Sequence, residues 1–178
     1  MKIKKILKND FLGIICYLGD NIINRLWRKR IFSKKYYFED RQKKADNLLI
    51  IIAGFQPFYW EEVLERVKKC QQDFKEGIDI CICVPEGIQG AKEKLQSMAN
   101  TMEWSFLYIT KDLLAQVQNT AIELHPNAKW IFKIDEDILL CQDYFTKLKN
   151  AFLNADRESY YPIGFMGPLL NINAACAP

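Results

Sequence analysis

Four short apolar runs, each followed by a longer segment with helical spacing, limit what this chain can fold into more than any other feature. The runs cover residues 48–53, 78–84, 105–109 and 129–134, and the helical segments cover 59–74, 89–102, 112–124 and 142–154. Strands that alternate with helices form βαβ units around a mostly parallel sheet. Strands that are apolar at almost every position are typical of sheets covered on both faces. The sequence therefore predicts a three-layer α/β fold, with residues 163–171 as a last extended segment.

Residues 1–46 differ from the rest of the chain in charge and pattern. Apolar residues recur at every third or fourth position from Ile3 to Leu26, which predicts an amphipathic helix, and residues 1–45 hold 13 Lys or Arg against 4 Asp or Glu. Such a helix fits an anionic membrane surface, and it fits equally well as a helix docked on the domain or on a partner. Its longest uncharged run is too short to span a bilayer. We expect a basic helix and linker over 1–46, with the linker at 33–47, and one α/β domain over 47–178.

The charge and cysteine content of the remaining chain narrow its function and location. Residues 46–178 hold 12 basic and 18 acidic side chains, a balance that argues against nucleic acid as a partner. The cysteine spacing matches no C-x-x-C metal or redox motif. With no secretory signal in the sequence, we expect reduced cysteines in a cytoplasmic protein, either free or peripheral at the inner face of the membrane. Cys81 and Cys83 alternate within an apolar run and are predicted to be core thiols.

Three consecutive acidic residues follow the last apolar run. In extended backbone, residues i and i+2 point to the same side, so Asp135 and Asp137 would be neighbours on either side of Glu136. Two adjacent carboxylates repel each other, and a hard cation such as Mg²⁺ or Mn²⁺, which binds through carboxylates and substrate phosphates, removes that repulsion. The pattern predicts a metal–phosphate site at the carboxyl end of a strand, where open α/β sheets bind ligands. A solvated turn is the alternative interpretation.

This order of elements, ending in an apolar strand and a D-x-D sequence, resembles the nucleotide-sugar glycosyltransferases of the GT-A fold. The resemblance covers about residues 48–171 and depends on Ile134-Asp135-Glu136-Asp137-Ile138, with residues 118–121 and 128–131 similar to the segment that leads into D-x-D in family 2-like members. It implies a GT-A or Rossmann-like sheet and transfer of a sugar from a UDP- or similar nucleotide-sugar donor to a glycan or other acceptor. It also implies a divalent cation, Mn²⁺ or Mg²⁺, that bridges the diphosphate.

The resemblance further implies roles for particular residues. The implied metal ligands are Asp135 and Asp137, and the implied substrate-binding residues are Ala53, Gly54, Phe55, Glu86, Asn119 and Asp135. Asp137 would coordinate the cation and Asp135 would contact the ribose or a metal-bound water, although these two roles are exchangeable. From the residues alone, helix capping or packing explains Asn119 equally well, and core packing explains Phe55 and Tyr59 better. His125 is better explained as a cap at a helix end than as a catalytic group.

The chain departs from the family pattern after the D-x-D sequence. Glycosyltransferases of this fold usually continue into a region that binds the acceptor and carries a catalytic base, whereas 41 residues follow Asp137 here. The acids in that stretch, Asp143, Asp156 and Glu158, lie in no recognisable motif, so we expect an incomplete acceptor region and assign no catalytic residue. Two alternatives remain: a phosphotransfer or phosphatase-like protein, which normally needs an Asp where the first strand ends, and a non-catalytic nucleotide-binding or assembly module.

Overall fold

The structure, a computed structural model, describes residues 35–110, 114–159 and 163–167. Within these ranges the strands are β1 Tyr36–Glu39, β2 Asn47–Ile52, β3 Asp79–Pro85, β4 Ser105–Ile109 and β5 Trp130–Asp135. The helices are α1 Trp60–Asp73, α2 Ala91–Met102, α3 Leu114–Leu124 and α4 Tyr144–Glu158. The predicted α/β class is therefore confirmed. The amphipathic helix predicted over residues 1–32 lies outside the described residues.

The described strands form one mixed sheet in the order β1-β4-β3-β2-β5. The strands β2 to β5 run parallel to one another, and β1 alone is antiparallel, beside β4. The chain leaves β2 toward β3 and β4 and then returns to place β5 on the other side of β2. Strand order therefore reverses at β2, and Ile52 at its end lies opposite Asp135 at the end of β5.

Helices pack on both faces of this sheet. On one face, α1, α2 and α4 cover apolar strand residues; this core includes Leu49, Ile51, Ile82, Phe106, Phe132, Val63, Leu95 and Phe145. On the other face, α3 covers the alternate strand residues; this core includes Leu48, Ile50, Cys81, Cys83, Leu107, Val117 and Ala121. Cys81 and Cys83 are buried, as predicted, and burial raises the pKa of the Cys81 thiol well above its usual value.

The linker prediction for residues 33–47 is wrong at β1, where Tyr36–Glu39 pairs with β4 along the edge of the sheet. The backbone that follows β1 is also fixed, because the buried carboxylate of Asp79 accepts hydrogen bonds from the N–H groups of Lys43 (2.7 Å) and Ala45 (2.9 Å). An edge strand of this kind is half exposed and short. Its sequence signal is therefore weaker than that of the buried strands.

His125 caps the end of α3, as the sequence predicted. Its ring Nδ1 lies 2.6 Å from the carbonyl oxygen of Ala121 and, because a carbonyl only accepts, donates the hydrogen. Phe38 of β1 packs edge-on against the same ring at 5.7 Å between centroids. Burial lowers the pKa of His125, although the bond to Ala121 opposes this shift.

Some predicted element ends also differ from the structure. The last helix begins at Tyr144 and continues to Glu158, later at both ends than the predicted 142–154. Residues 163–167 are irregular rather than part of an extended strand, and the rest of that predicted segment lies outside the described residues. No helix among the described residues has both the length and the apolar character needed to cross a membrane.

Candidate functional site

Asp135 is the last residue of β5, and Asp137 lies two residues further along the chain. Both residues are exposed. The strand ends at Asp135, and the chain then turns, with the N–H of Ile138 donating to the carbonyl of Asp135 at 3.3 Å. The expectation that extended backbone continues through Asp137 is therefore wrong. The turn, rather than strand alternation, sets how the two carboxylates are presented at the carboxyl edge of the sheet.

The carboxylate of Asp135 forms an ion pair with a lysine of the same chain. Lys133 Nζ lies 2.6 Å from Asp135 Oδ1, and both side chains are about half exposed. An exposed ion pair of this kind contributes little to stability, about 0–1 kcal/mol, because water screens it. A divalent cation or a phosphate could therefore replace this pairing at small cost.

Glu136, between the two aspartates, is buried and plays a different part from its neighbours. Only 6% of its surface is exposed. Its carboxylate accepts hydrogen bonds from the backbone N–H groups of Gly54 (2.8 Å), Phe55 (3.0 Å) and Gln56 (3.0 Å), and from the indole N–H of Trp60. Bonds to a charged acceptor are stronger than neutral ones, and together they satisfy the buried charge. The acidic turn is thus tied to the loop between β2 and α1.

Sequence reasoning missed Glu136, although a signal for it was present. Along β5 the side chains of Phe132 and Ile134 are buried, whereas Lys133 and Asp135 are exposed. Continuing this alternation by one step places Glu136 on the buried side with Phe132 and Ile134. A glutamate on the apolar side of a strand needs donors, and the loop after β2 supplies them.

The loop after β2 also touches the loop after β3. The N–H of Ala53 donates to the carbonyl of Cys83 at 3.0 Å, and the N–H of Ile88 donates to the carbonyl of Gly54 at 2.8 Å. Gly54 has a φ of +141°, which favours glycine, and a Cβ placed on Gly87 would lie only 2.3 Å from the Gly54 carbonyl oxygen. The two loops are therefore in backbone contact at the same edge as the acidic turn.

Aromatic side chains on the loop after β2 are exposed. Phe55 is 46% exposed, Tyr59 is 40% exposed and Phe58 is 88% exposed, and the rings of Phe58 and Tyr59 pack edge-to-face at 5.2 Å. The prediction that Phe55 and Tyr59 pack in the core is therefore wrong. Sequence reasoning did not single out Phe58. The position of Phe58 in the sequence does not reveal its exposure, because a loop follows neither the strand period nor the helix period that separates buried from exposed residues.

The remaining predicted binding residues have different outcomes. Glu86 is exposed in the loop after β3, next to Gly87, and so lies at the same edge as Gly54. Asn119 is half-buried near the middle of α3, which packs mainly over β3 and β4, and β2 separates those strands from β5. The predicted residues gathered at the carboxyl edge are therefore Ala53, Gly54, Phe55, Glu86, Asp135 and Asp137, and a role for Asn119 at this edge stays a prediction.

A cleft of about 580 Å³ lies along the outer side of β5 and reaches Lys133, which pairs with Asp135. Its walls include Trp130, Phe132, Tyr144, Lys149 and residues 164–167. Lys149 is already engaged there, since its ammonium bonds the side chains of Asn47 (3.1 Å) and Glu76 (2.6 Å). Asp135 and Asp137 are not among the residues that line this cleft.

The acidic turn offers a limited set of metal ligands. Within the described ranges, no group of three or more His, Cys, Asp and Glu side chains is gathered to hold a metal ion. Two exposed carboxylates still fit Mg²⁺ or Mn²⁺, which often bind through one or two carboxylates and take their other ligands from phosphates and water. Asp135 and Asp137 would hold such a cation. When bound, it would stabilise negative charge developing on a diphosphate.

Comparisons of the chain with protein-family models, with curated proteins and with solved structures find no match. The features of the chain that bear on its function are therefore an acidic turn, a loop fixed to it by Glu136, and exposed aromatic rings on that loop.

Proposed function

We propose that the α/β domain binds a nucleotide-sugar donor as part of a GT-A-like glycosyltransferase, which transfers the sugar to a glycan or other acceptor with help from a divalent cation. The observation that carries this proposal is the Glu136 carboxylate, which holds the loop after β2 against the turn that presents Asp135 and Asp137. The D-x-D resemblance and the mostly parallel sheet agree with it.

The sheet order supports a ligand site at this edge. Open α/β sheets bind ligands outside the carboxyl ends of their strands where strand order reverses. Here the order reverses at β2, whose last residue, Ile52, lies opposite Asp135. The loop after β2 and the acidic turn after β5 are therefore adjacent, and a nucleotide that lies across them would contact both.

The two sides of this edge suit different parts of a nucleoside diphosphate. Asp135 and Asp137 supply hard oxygen ligands for a cation that carries the diphosphate. The half-exposed ring of Phe55 offers an apolar surface for a base. We assign no catalytic base, so the proposal concerns donor binding more directly than turnover.

Melting temperatures measured with nucleoside diphosphates test the proposal. We expect UDP, or another member of a panel with GDP, ADP and CDP, to raise the melting temperature when Mn²⁺ or Mg²⁺ is present, because ligand binding stabilises the folded state. The same nucleotide in EDTA should have little effect. A nucleotide shift of the same size in excess EDTA would contradict the role given to the two aspartates.

A second candidate is a non-catalytic nucleotide-binding or assembly module. The ion pair between Lys133 and Asp135 favours it, because that pair neutralises one acid without a metal. On this account nucleotide binding would be insensitive to EDTA, and no hydrolysis or transfer from a nucleotide sugar would be detected. The EDTA comparison thus separates the two candidates.

A further inference from the structure

We infer that Glu136 is a positioning residue that gives the proposed donor site its preference for a nucleobase, by fixing the loop after β2 against the acidic turn. This inference rests on the proposed function. It concerns a residue that lies between the two D-x-D aspartates but points away from them, into the protein.

The first support is the number and kind of donors that meet this carboxylate. Three consecutive backbone N–H groups, from Gly54 to Gln56, and the indole of Trp60 all point to it. With 6% of its surface exposed, Glu136 has almost no access to water as a substitute partner. A neutral amide in its place would present its own N–H groups to some of these donors, and buried donors would lose their acceptor.

The second support is that Glu136 holds the loop from the β5 side, whereas the contacts of Ala53 and Gly54 hold it from the β3 side. The loop is therefore fixed between two anchors, and removing Glu136 frees the side nearest the acidic turn. Phe55, whose own N–H is bound to Glu136, carries one of the exposed rings on this loop.

The third support concerns where phosphates can bind. Consecutive N–H groups in a loop before a helix often bind phosphate. Here the N–H groups of Gly54, Phe55 and Gln56 are occupied by Glu136, so they are not free for a diphosphate. The phosphates must then depend on the cation at Asp135 and Asp137, while the loop contributes to recognition of the base. Base preference and phosphate affinity are thus separable.

Glu136→Gln, which keeps the shape of the side chain, tests this separation. Affinities for UDP, the other nucleoside diphosphates and inorganic pyrophosphate are measured by titration of the full chain with Mn²⁺. We expect the wild type to bind its preferred nucleoside diphosphate more tightly than pyrophosphate. In Glu136→Gln that preference should fall by about tenfold or more, equivalent to about 1.4 kcal/mol, while pyrophosphate affinity stays within about twofold. The nucleotide preference of Glu136→Asp should lie between those of the wild type and Glu136→Gln, because aspartate keeps the charge on a shorter side chain.

The control is Glu123→Gln, which changes an exposed glutamate on α3 and should match the wild type. A folded Glu136→Gln that keeps the wild-type preference overturns the inference. Equal loss of affinity for the nucleoside diphosphate and for pyrophosphate also overturns it, because that result would indicate a merely structural role. If Glu136→Gln does not fold, Glu136→Asp carries the same comparison, and an unchanged preference in it overturns the inference. A wild type that binds neither probe with metal overturns the proposed function itself, which is a different result.

Discussion

At the scale of single residues, the three acids of the D-E-D sequence have two different roles. Asp135 and Asp137 are exposed at the edge of the sheet, whereas Glu136 is buried and bound by backbone N–H groups. The spacing of the two aspartates predicted a cation site there, but it did not predict that they would be exposed on a turn. The burial of Glu136 could have been predicted from the alternation along β5, but its hydrogen-bond donors could not, because they lie in a distant part of the sequence, with Gly54 82 residues before Glu136.

The exposed pair should be dispensable for folding but not for cation-dependent binding. We expect Asp135→Asn and Asp137→Asn each to abolish metal-dependent nucleotide binding, because each removes a charged oxygen ligand. Their melting temperatures should stay close to the wild type, since an exposed ion pair such as Asp135 with Lys133 is worth about 1 kcal/mol at most. Titration with UDP and Mn²⁺ measures the effect, and Asp73→Asn, at the exposed end of α1, is the control. Wild-type affinity in both variants would contradict the assignment.

Gly87 should be intolerant of any side chain. A Cβ at this position would lie 2.3 Å from the Gly54 carbonyl oxygen, so one loop must move away from the other. We expect Gly87→Ala to destabilise the domain by about 1–3 kcal/mol, typical of overpacking, and to weaken nucleotide binding because Gly54 is displaced. Chemical denaturation and titration measure the two effects. The matched control is Gly164→Ala, where an added Cβ meets no atom within 4 Å; equal behaviour of the two variants would refute the close contact.

At the scale of elements, the sequence predicted the four parallel strands to within about a residue at each end, because β2, β3 and β4 are buried on both faces, whereas β5 alternates buried and exposed residues. Ile50 and Ile51, on opposite faces of β2, illustrate this, since both are almost fully buried. The same reasoning failed for β1, whose residues Tyr36 and Tyr37 are about half exposed and lie among charged neighbours. It also failed for the exposed rings of Phe55 and Tyr59, since composition does not reveal which loop aromatics face solvent.

The contact between α3 and β1 should make stability depend on pH. Burial lowers the pKa of His125, so the unfolded chain binds a proton more readily than the folded one. The contribution of His125 to the free energy of unfolding is then complete above the pKa of an unfolded histidine, about 6.5. This contribution is lost as the pH falls from that value through the lower pKa of the folded state. We expect urea midpoints to fall over this range. His125→Asn, which can still donate to Ala121, should reduce this pH dependence, and an unchanged profile would show that other groups cause it.

At the scale of the whole molecule, charge divides the chain into two parts. Residues 1–45 carry 13 basic and 4 acidic side chains, whereas residues 46–178 carry 12 basic and 18 acidic ones. The proposed donor site lies in the acidic part. A basic N-terminal segment that binds an anionic bilayer would place this site beside membrane-linked acceptors. Membrane binding by this segment remains a prediction from sequence, because residues 1–34 lie outside the described part of the chain.

Co-sedimentation with liposomes tests that prediction. We expect the full chain to bind anionic vesicles at low salt, more weakly at high salt and poorly to neutral vesicles, because each basic residue near the surface contributes about 1 kcal/mol that salt screens. Deleting residues 1–32 should abolish this binding and leave nucleotide binding intact. A deletion variant that unfolds would instead indicate that the segment is a structural part of the domain.

The central claim is that the edge formed by the loop after β2 and the turn after β5 binds the nucleoside diphosphate part of a sugar donor through a cation. Isothermal titration of the full chain with a panel of nucleotide sugars, first with Mn²⁺ and then with excess EDTA, tests it most directly. The account predicts saturable binding of at least one nucleotide sugar with Mn²⁺ and loss of that binding in EDTA. Absence of binding across the panel in Mn²⁺, or binding of equal strength in EDTA, would contradict it.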